Sequence, residues 1–209
     1  SYPASLRPAL LFALDRKIKA LPTHIEYAGQ ETDNRLLGHL GTILDLNMTI
    51  TSTNPWTRSN QAVFDAELIM PPFGSDMSRV RDLPESTLSS LGIFGGRHGR
   101  ISGESVAIAD ALQSVKGRAV LVVTEGALFR AVGVEAIARE ELVHSGRLEA
   151  VMGLGPSMMF QSTSINAALL LLAPKGASRS TIRFVNLSDE QFASRRERGR
   201  LEIRKGVAW

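Results

Sequence analysis

The feature that most constrains the fold is an uninterrupted apolar run, Ala-Val-Leu-Val-Val-Thr, at residues 119–124. Its β-branched residues favour a strand, and the lack of polar alternation predicts that both faces of that strand are buried. Strands of this kind are typical of parallel sheets that carry helices on both sides. A chain of 209 residues is long enough to build one such sheet with its own core.

Helical and extended patterns alternate along the rest of the chain. Apolar residues three and four apart predict helices, and short apolar runs bounded by turn residues predict strands. Helices are predicted at residues 5–20, 33–47 (capped by Thr32), 102–115 and 134–144, and strands at 24–30, 63–70, 119–124, 148–154, 166–172 and 181–187. Residues 49–60 and 74–103 are polar or rich in glycine, and we expect loops there.

The last two predicted strands are separated only by a turn at Pro174-Lys175-Gly176, which favours antiparallel pairing between them. The sequence therefore predicts an α/β fold with a doubly wound, mostly parallel sheet and an antiparallel C-terminal strand pair. We expect one α/β domain over residues 1–187 and a basic C-terminal tail over residues 188–209.

Composition excludes several classes of protein. There are no cysteines, so disulfides and thiolate metal sites are excluded, and the four histidines are too scattered to indicate any other metal site. No apolar run approaches the roughly 18 residues that span a membrane, and no signal segment is visible, so we expect a cytoplasmic protein. Of the 24 basic residues 19 are Arg, which suits contacts with phosphates but equally reflects the codon usage of a GC-rich genome.

The segment Met70-Pro71-Pro72-Phe73-Gly74 follows a predicted strand and carries the most specific motif in the chain. It resembles the catalytic loop of the N6-adenine DNA methyltransferases, in particular the modification subunit of type I restriction-modification systems, where Asn or Asp precedes Pro-Pro-Phe or Pro-Pro-Tyr. The resemblance implies a Rossmann-like class I methyltransferase core, S-adenosylmethionine as cofactor and DNA as substrate. It also implies specificity and endonuclease subunits as partners.

The chemistry of that family explains the loop. The lone pair of the adenine amine is delocalised into the ring, so the resemblance implies that a side-chain oxygen and the carbonyl of Pro71 accept its two hydrogens. The aromatic residue, here Phe73, would stack on the flipped base. Pro72 matches the motif as well, whereas Met70 stands at the acceptor position and offers only a thioether, which is a very weak acceptor.

Other blocks follow in the family's order. Ala28-Gly29-Gln30-Glu31 resembles the second cofactor motif, which implies that Glu31 binds the ribose hydroxyls of the cofactor. The segments 117–129 and 146–172 resemble later strands and turns of the family, with Glu125 in place of a usual Asp or Asn. The resemblance thus covers most of the chain.

The N-terminal stretch departs from the family's first cofactor motif, which reads roughly Asp-Pro-Ala-Cys-Gly-Ser-Gly-Gly-Phe-Leu. Pro3 and Ala4 match and are assigned to the cofactor, but Tyr2 replaces the Asp, and Leu6, Pro8 and Ala9 replace the three glycines. Those glycines adopt backbone angles closed to Leu and Pro. With Met70, this makes two altered functional motifs on a retained scaffold, and the first strand of the sheet is either absent or lies outside the sequence.

Three hypotheses follow for the function. The first is a non-catalytic methyltransferase-like domain that serves as a scaffold or binds DNA or a partner subunit, and the second is an active adenine methyltransferase seen as a fragment. The third is a Rossmann-like domain that binds another small molecule. Arg97 and Arg100 in the glycine-rich loop are candidate DNA contacts, although a solvated loop is the favoured explanation of these charges. A nucleophile elbow at residues 103–107 is disfavoured because its final Gly is missing.

Overall fold

The protein is described by a computed structural model that covers residues 22–26, 31–51, 64–79, 83–94, 99–156, 158–159, 165–195 and 201–203. It divides into two compact units, unit 1 over residues 1–60 and unit 2 over residues 61–209. Each unit is described by itself. The helix predicted at residues 5–20 lies outside the described residues.

Unit 1 contains a strand–helix–strand arrangement. Strand β1 spans Thr23–Glu26, helix α1 spans Glu31–Ile43 and strand β2 spans Met48–Thr51. The two strands pair in parallel, with Ile25 opposite Ile50. Two predictions were wrong here: Thr32 lies inside the helix rather than capping it, and a strand occupies the start of the segment predicted as a loop. The backbone groups of β2 form their hydrogen bonds with β1, and this pairing is not visible in the local sequence.

Unit 2 is built on a five-stranded sheet with the order β3-β4-β6-β5-β7. Its strands are β3 (Ala66–Ile69), β4 (Arg118–Thr124), β5 (Leu148–Leu154), β6 (Ala167–Leu172) and β7 (Arg183–Asn186). Strand β6 runs antiparallel to both of its neighbours, β4 and β5, whereas β3 is parallel to β4 and β7 is parallel to β5. Four of the five strands therefore run in one direction, which confirms the predicted α/β class and mostly parallel sheet.

The predicted pairing of the last two strands with each other was wrong. Strand β6 inserts between β4 and β5, and β7 pairs with the far edge of β5. The short connection suggested a hairpin, but β6 has apolar residues on both faces and four of its six residues are buried, so the centre of the sheet is the better place for it.

The described part of this unit contains four helices: α2 (Glu85–Ser90), α3 (Gly103–Ser114), α4 (Glu125–Phe129) and α5 (Val134–His144). The sequence predicted α3 and α5 within one residue, and the hydroxyl of Ser102 caps α3 by accepting from the backbone N–H of Ser105. It did not predict α2 or α4, which at six and five residues are too short to show periodicity.

A buried guanidinium joins several of these elements. The side chain of Arg147, just before β5, is 3 % exposed and donates to the carbonyls of Ala111 and Leu112 at the end of α3 and to those of Gly117 and Ala173. Burial lowers the pKa of Arg147 from its usual value, and the negative charge of Glu67 opposes that effect. With four carbonyl partners, this cation fixes the end of α3 against the sheet.

The segment predicted as a basic tail contains a further, two-stranded sheet. Strand β8 (Ala193–Arg195) pairs antiparallel with β9 (Leu201–Ile203). No helix among the described residues combines the length and apolar character needed to cross a membrane.

Candidate functional site

The predicted catalytic loop leaves the carboxyl end of β3. Ile69, the last residue of that strand, pairs with Leu121 in the middle of β4, so the loop begins beside the central strands of the sheet. Pro71 is buried, while Met70, Pro72 and Phe73 are half-buried. The structure thus brings the four residues predicted to be catalytic together on one short loop.

The loop is held in a defined conformation by its own backbone and by one arginine. The N–H of Ser75 donates to the carbonyl of Pro72 at 3.2 Å, and Gly74 adopts a φ of 65°, which a residue with a side chain rarely adopts. Nη2 of Arg100 donates to the carbonyl of Gly74 at 2.6 Å. Arg100, predicted to contact DNA, is therefore engaged with the loop itself.

The carboxylate of Asp76 fastens the chain just after this loop. It accepts from the backbone N–H of Ser78 at 2.9 Å and from that of Ile101 at 3.4 Å. These hydrogen bonds, above all those from Ser78, lower the pKa of Asp76 from its ordinary 3.8, and the charge of Arg100 acts in the same direction. The segment after the loop is thereby tied to the start of α3.

An NMR titration of the side-chain carboxyl carbons should find the midpoint of Asp76 below 3.8. Because the pKa is lower in the folded protein, the tie to Ile101 is fully present above the unfolded pKa and is lost as the pH falls through the folded pKa. Exchange protection of the Ile101 amide should fall over that same window, and Asp76→Asn should remove the dependence on pH. A midpoint at or above 3.8 would contradict the hydrogen bonding described.

Gly103, the first residue of α3, lies directly against the loop. A Cβ at this position would stand 2.6 Å from the carbonyl oxygen of Pro72 and 3.0 Å from its Cγ. Its neighbour Glu104 is 3 % exposed and accepts a hydrogen bond from Oγ1 of Thr124, the last residue of β4, at 3.0 Å. The helix thus supports both the loop and the end of β4.

We expect Gly103→Ala to displace the loop. Since the nearest obstacle is backbone, the loop must move, at a cost of about 1–3 kcal/mol in the free energy of unfolding. Backbone amide shifts should change at Gly74 and Ser75. The matched control is Gly99→Ala, because a Cβ at Gly99 meets nothing within 4 Å. Unchanged shifts in the loop of a folded Gly103→Ala protein would show that this contact does not set its position.

The apolar side chains of the loop pack against one end of the sheet. Val122, Leu154, Ala167 and Leu187 form a buried cluster there. The partly buried side chains against it are Met70, Phe73, Met152, Met158, Met159, Leu169, Val185 and Phe192. We call the methionines and phenylalanines of this set, which are residues 70, 73, 152, 158, 159 and 192, the Met/Phe surface. Met70 is thus part of an apolar packing arrangement.

The other predicted site residues have different outcomes. Glu31 is the first residue of α1 and follows β1 by a short connection, but its side chain is outside the description, as are Pro3, Ala4 and Arg97. The segment 103–107 cannot hold a nucleophile, because Ser105 is 1 % exposed inside α3 and bonded to the hydroxyl of Ser102.

Several residues of the site were not predicted. Asp76, two residues before Ser78, carries the local signal of a side chain that bonds its own backbone, and that signal could have been found. The sequence around Glu104, Met152, Met158 and Met159 contains no local pattern that would have identified these residues. Glu125, by contrast, was noted in the sequence because it replaces a usual Asp or Asn; it lies at the start of α4 and accepts from Nδ2 of Asn166 at 2.9 Å.

The sequence profile of the N-6 DNA methylase family matches residues 47–205. The chain belongs to that family. The family predicted from the sequence is therefore confirmed, and the matched range includes the loop, the whole five-stranded sheet of unit 2 and the β8–β9 hairpin. No curated protein matches this chain in sequence.

Solved structures share its fold. The type I restriction-modification methyltransferase subunit from Streptococcus thermophilus superposes with a TM-score of 0.68 at 16 % identity, covering 97 % of this chain and 49 % of that one. A modification subunit of a putative type I restriction enzyme from Vibrio vulnificus gives 0.60 at 16 %, covering 86 % and 46 %. A putative class I S-adenosylmethionine-dependent methyltransferase from Listeria monocytogenes gives 0.53 at 14 %, covering 89 % and 63 %. The chain spans about half the length of the first two.

Proposed function

We propose that this chain is the DNA adenine-N6 methyltransferase-like domain of a restriction-modification system, that it has lost methyl transfer, and that it serves as a scaffold or as a DNA- or subunit-binding element. The observation that carries the proposal is the place of Met70, whose thioether packs against the apolar cluster where the family's motif has an amide or a carboxylate.

The chemistry of the loop argues against transfer. Attack by the adenine amine requires an oxygen that accepts a hydrogen bond from the amine, and thioether sulfur is a very weak acceptor. The side chain of Met70 lies instead against the buried apolar cluster, together with the rest of the Met/Phe surface. Removing one comparable electrostatic contact in an enzyme site lowers the rate by about 10²–10³-fold.

The cofactor motifs support the same conclusion. Of the residues assigned to S-adenosylmethionine, Glu31 begins α1. The stretch Leu6-Arg7-Pro8-Ala9, however, lacks the glycines that let backbone approach the methionine part of the cofactor. We therefore propose that the chain does not bind this cofactor tightly, and we assign no chemical step to it.

The scaffold around the loop is nevertheless retained. Arg100 holds Gly74, Gly103 packs under Pro72, and Asp76 ties the following segment to α3. A domain that keeps this framework without the acceptor is suited to binding. DNA and the specificity and endonuclease subunits of a restriction system are the partners we propose, and Arg97 remains a proposed DNA contact.

Methyl transfer to DNA with labelled cofactor tests the proposal, together with calorimetric titration of S-adenosylmethionine. We expect no incorporation and no tight 1:1 binding. Met70→Asn should not create activity, and it should lower the free energy of unfolding by about 1–3 kcal/mol because it places an unpaired amide in an apolar site. Met70→Leu, which keeps the volume, is the control and should cost less than about 1.5 kcal/mol.

The alternative is an active adenine methyltransferase seen as a fragment. The retained Pro71-Pro72-Phe73 sequence with its closed turn favours it. In that case the wild-type chain transfers methyl groups slowly, and Met70→Asn accelerates transfer by about 10²–10³-fold. That result would overturn the proposed loss of catalysis.

A further inference from the structure

We propose that a cavity between three helices of unit 2 binds an arginine side chain of a partner protein. The cavity has a volume of about 220 Å³, and its described lining residues lie within residues 90–91, 109–113 and 138–145 of α2, α3, α5 and the positions that follow them. We call it the three-helix cavity. The inference rests on the subunit-binding part of the proposed function, and it adds the surface involved and the chemistry that this surface recognises.

The position of the cavity along α3 separates it from the loop after β3. Gly103 at the start of that helix lies against Pro72, whereas Ala109, Leu112 and Gln113, which line the cavity, belong to its second half. At about 1.5 Å per residue, Gln113 lies about 15 Å along the helix from Gly103. The volume is below the roughly 300–1,000 Å³ of sites for drug-sized ligands, so the cavity has room for one long side chain.

The inner wall of the cavity is apolar. Leu91, Ala109 and Ala138 are 1 %, 3 % and 1 % exposed, and the half-buried Leu112 completes this wall. Burial of methylene groups against such a wall is favourable. The arginine side chain has an aliphatic stem that packs on apolar surface while its charged head stays at the polar rim.

The two serines of the cavity present oxygen atoms whose own hydrogens are already used. The hydroxyl of Ser90 donates to the carbonyl of Thr87 at 2.9 Å, and the hydroxyl of Ser145 donates to the carbonyl of Leu142 at 2.7 Å. The oxygen of Ser145 also accepts from the backbone N–H of Arg147 at 3.1 Å, which leaves it one acceptor position. Toward a ligand, both hydroxyls therefore act as acceptors.

Gln113 and Glu141 supply the remaining polar side chains of the cavity. The side-chain amide of Gln113 donates to the carbonyl of Ser86 at 2.9 Å, so it keeps one hydrogen and its carbonyl oxygen. The exposed carboxylate of Glu141 has no ion pair or hydrogen bond with any residue that the structure describes. Acceptors thus outnumber donors among the described lining residues, and an unpaired carboxylate stands with them. A ligand that matches this arrangement donates several hydrogen bonds and carries a positive charge.

Two cations of the chain lie near the end of α3 without filling this role. Arg147 donates to four backbone carbonyls, and Nζ of Lys175 donates to the backbone carbonyl of Gln113 at 3.0 Å. Both leave the side-chain oxygens of the cavity for a ligand, although their charge reduces the attraction of a further cation. The guanidinium of an arginine distributes five N–H donors over acceptors on different helices and can pair with a carboxylate through two hydrogen bonds. Arginine is also among the residues that most often anchor protein–protein interfaces.

The experiment titrates the whole ¹⁵N-labelled chain with blocked pentapeptides that carry arginine, citrulline or norleucine between pairs of glycines. Citrulline keeps the shape of arginine without its charge, and norleucine keeps only the aliphatic part. We expect the arginine peptide to bind at least about tenfold more tightly than the other two, because both lose charged hydrogen bonds. It should shift the backbone amides of Leu91, Gln113 and Ser145 and leave those of Gly74 and Ser75 unchanged. Equal affinities, or shifts confined to the loop after β3, would overturn the proposal.

A pair of neighbouring carboxylates supplies the variant and its control. Glu141→Gln keeps the shape of the side chain and should lower the affinity for the arginine peptide about tenfold, which removes the preference over citrulline. Glu140→Gln is the matched control, because Glu140 is also exposed but lies about 100° away around α5 and is not among the residues that line the cavity. An unchanged affinity in Glu141→Gln, or an equal loss in Glu140→Gln, would contradict a site built on Glu141.

Other occupants are distinguished by competition and by molecular mass. A DNA duplex of mixed sequence should not displace the arginine peptide, and sedimentation should give the same mass for the wild type and for Glu141→Gln. Displacement by DNA, or a dimer that is lost in the variant, would replace the partner protein by DNA or by a second copy and so overturn the assignment.

The outcomes also separate this inference from the proposed function. Methyl transfer by the wild-type chain would overturn the proposed loss of catalysis and leave the binding of arginine at the three-helix cavity standing. Failure of the arginine peptide to bind would reject the cavity as a docking site and leave a DNA-binding role of the domain intact.

Discussion

Arg147→Met should lower the free energy of unfolding by about 3–5 kcal/mol, more than any other single side-chain truncation considered for this chain. Methionine keeps much of the aliphatic volume of arginine but has no hydrogen-bond donor. The carbonyls of Leu112, Gly117 and Ala173 therefore lose the guanidinium as a partner, and the carbonyl of Ala111 loses one of its two donors. A buried carbonyl that loses its partner costs about 1–3 kcal/mol, and the losses occur where α3 ends and β4 begins.

Chemical denaturation measures this effect directly. Arg179→Met is the matched control, because the Arg179 side chain is 47 % exposed and its ion pair with Glu149 is shared with Arg118. An exposed pair contributes about 0–1 kcal/mol, so the control should remain close to wild type. A loss below about 1 kcal/mol for Arg147→Met would mean that water replaces the guanidinium and that the site is less buried than described.

Gly117→Ala should be the most disruptive of the glycine substitutions. A Cβ there would lie 2.2 Å from the carbonyl oxygen of Phe64 and 2.6 Å from that of Asp65, and both obstacles are backbone. The same Asp65 carbonyl accepts from the N–H of Arg118, so relief of the clash separates β3 from β4 at their first rung. We expect a loss of at least about 3 kcal/mol in the free energy of unfolding, at the upper end for an oversized substitution.

The comparison for this variant is Gly38→Ala in the interior of α1. A Cβ at Gly38 meets nothing within 4 Å, and alanine has the higher helix propensity, so this change should be neutral or stabilise by up to about 1 kcal/mol. Melting curves of both variants give the difference. Similar melting temperatures for the two proteins would show that the strands at Gly117 separate without penalty.

The longer strands and helices, whose apolar patterns are regular, could be predicted from the sequence. The apolar run of β4 indicated a buried central strand, and Ser102 with its helix pattern defined α3 to within one residue. The loop at Met70 was located correctly because its prolines stop a strand. These features depend on local sequence alone, which explains the success.

The features that could not be predicted depend on contacts between residues that are distant in sequence. The insertion of β6 between β4 and β5 is decided by burial and not by the length of the turn that follows it. The same is true of Glu104, whose partner Thr124 is 20 residues away, and of Met152, Met158 and Met159, which lie against the same cluster as Met70 only in the folded sheet. The altered chemistry of the loop was visible in the sequence, but its apolar surroundings were not.

The position of β6 has a consequence for the order in which the protein can fold. Both central strands, β4 and β5, use residues 167–172 as their common neighbour, so neither has its pairing completed until that segment has left the ribosome. A nascent or proteolysed chain that ends before residue 167 exposes two apolar strands with open edges, which are templates for aggregation. Truncations on either side of residue 172 should therefore differ sharply in solubility during synthesis.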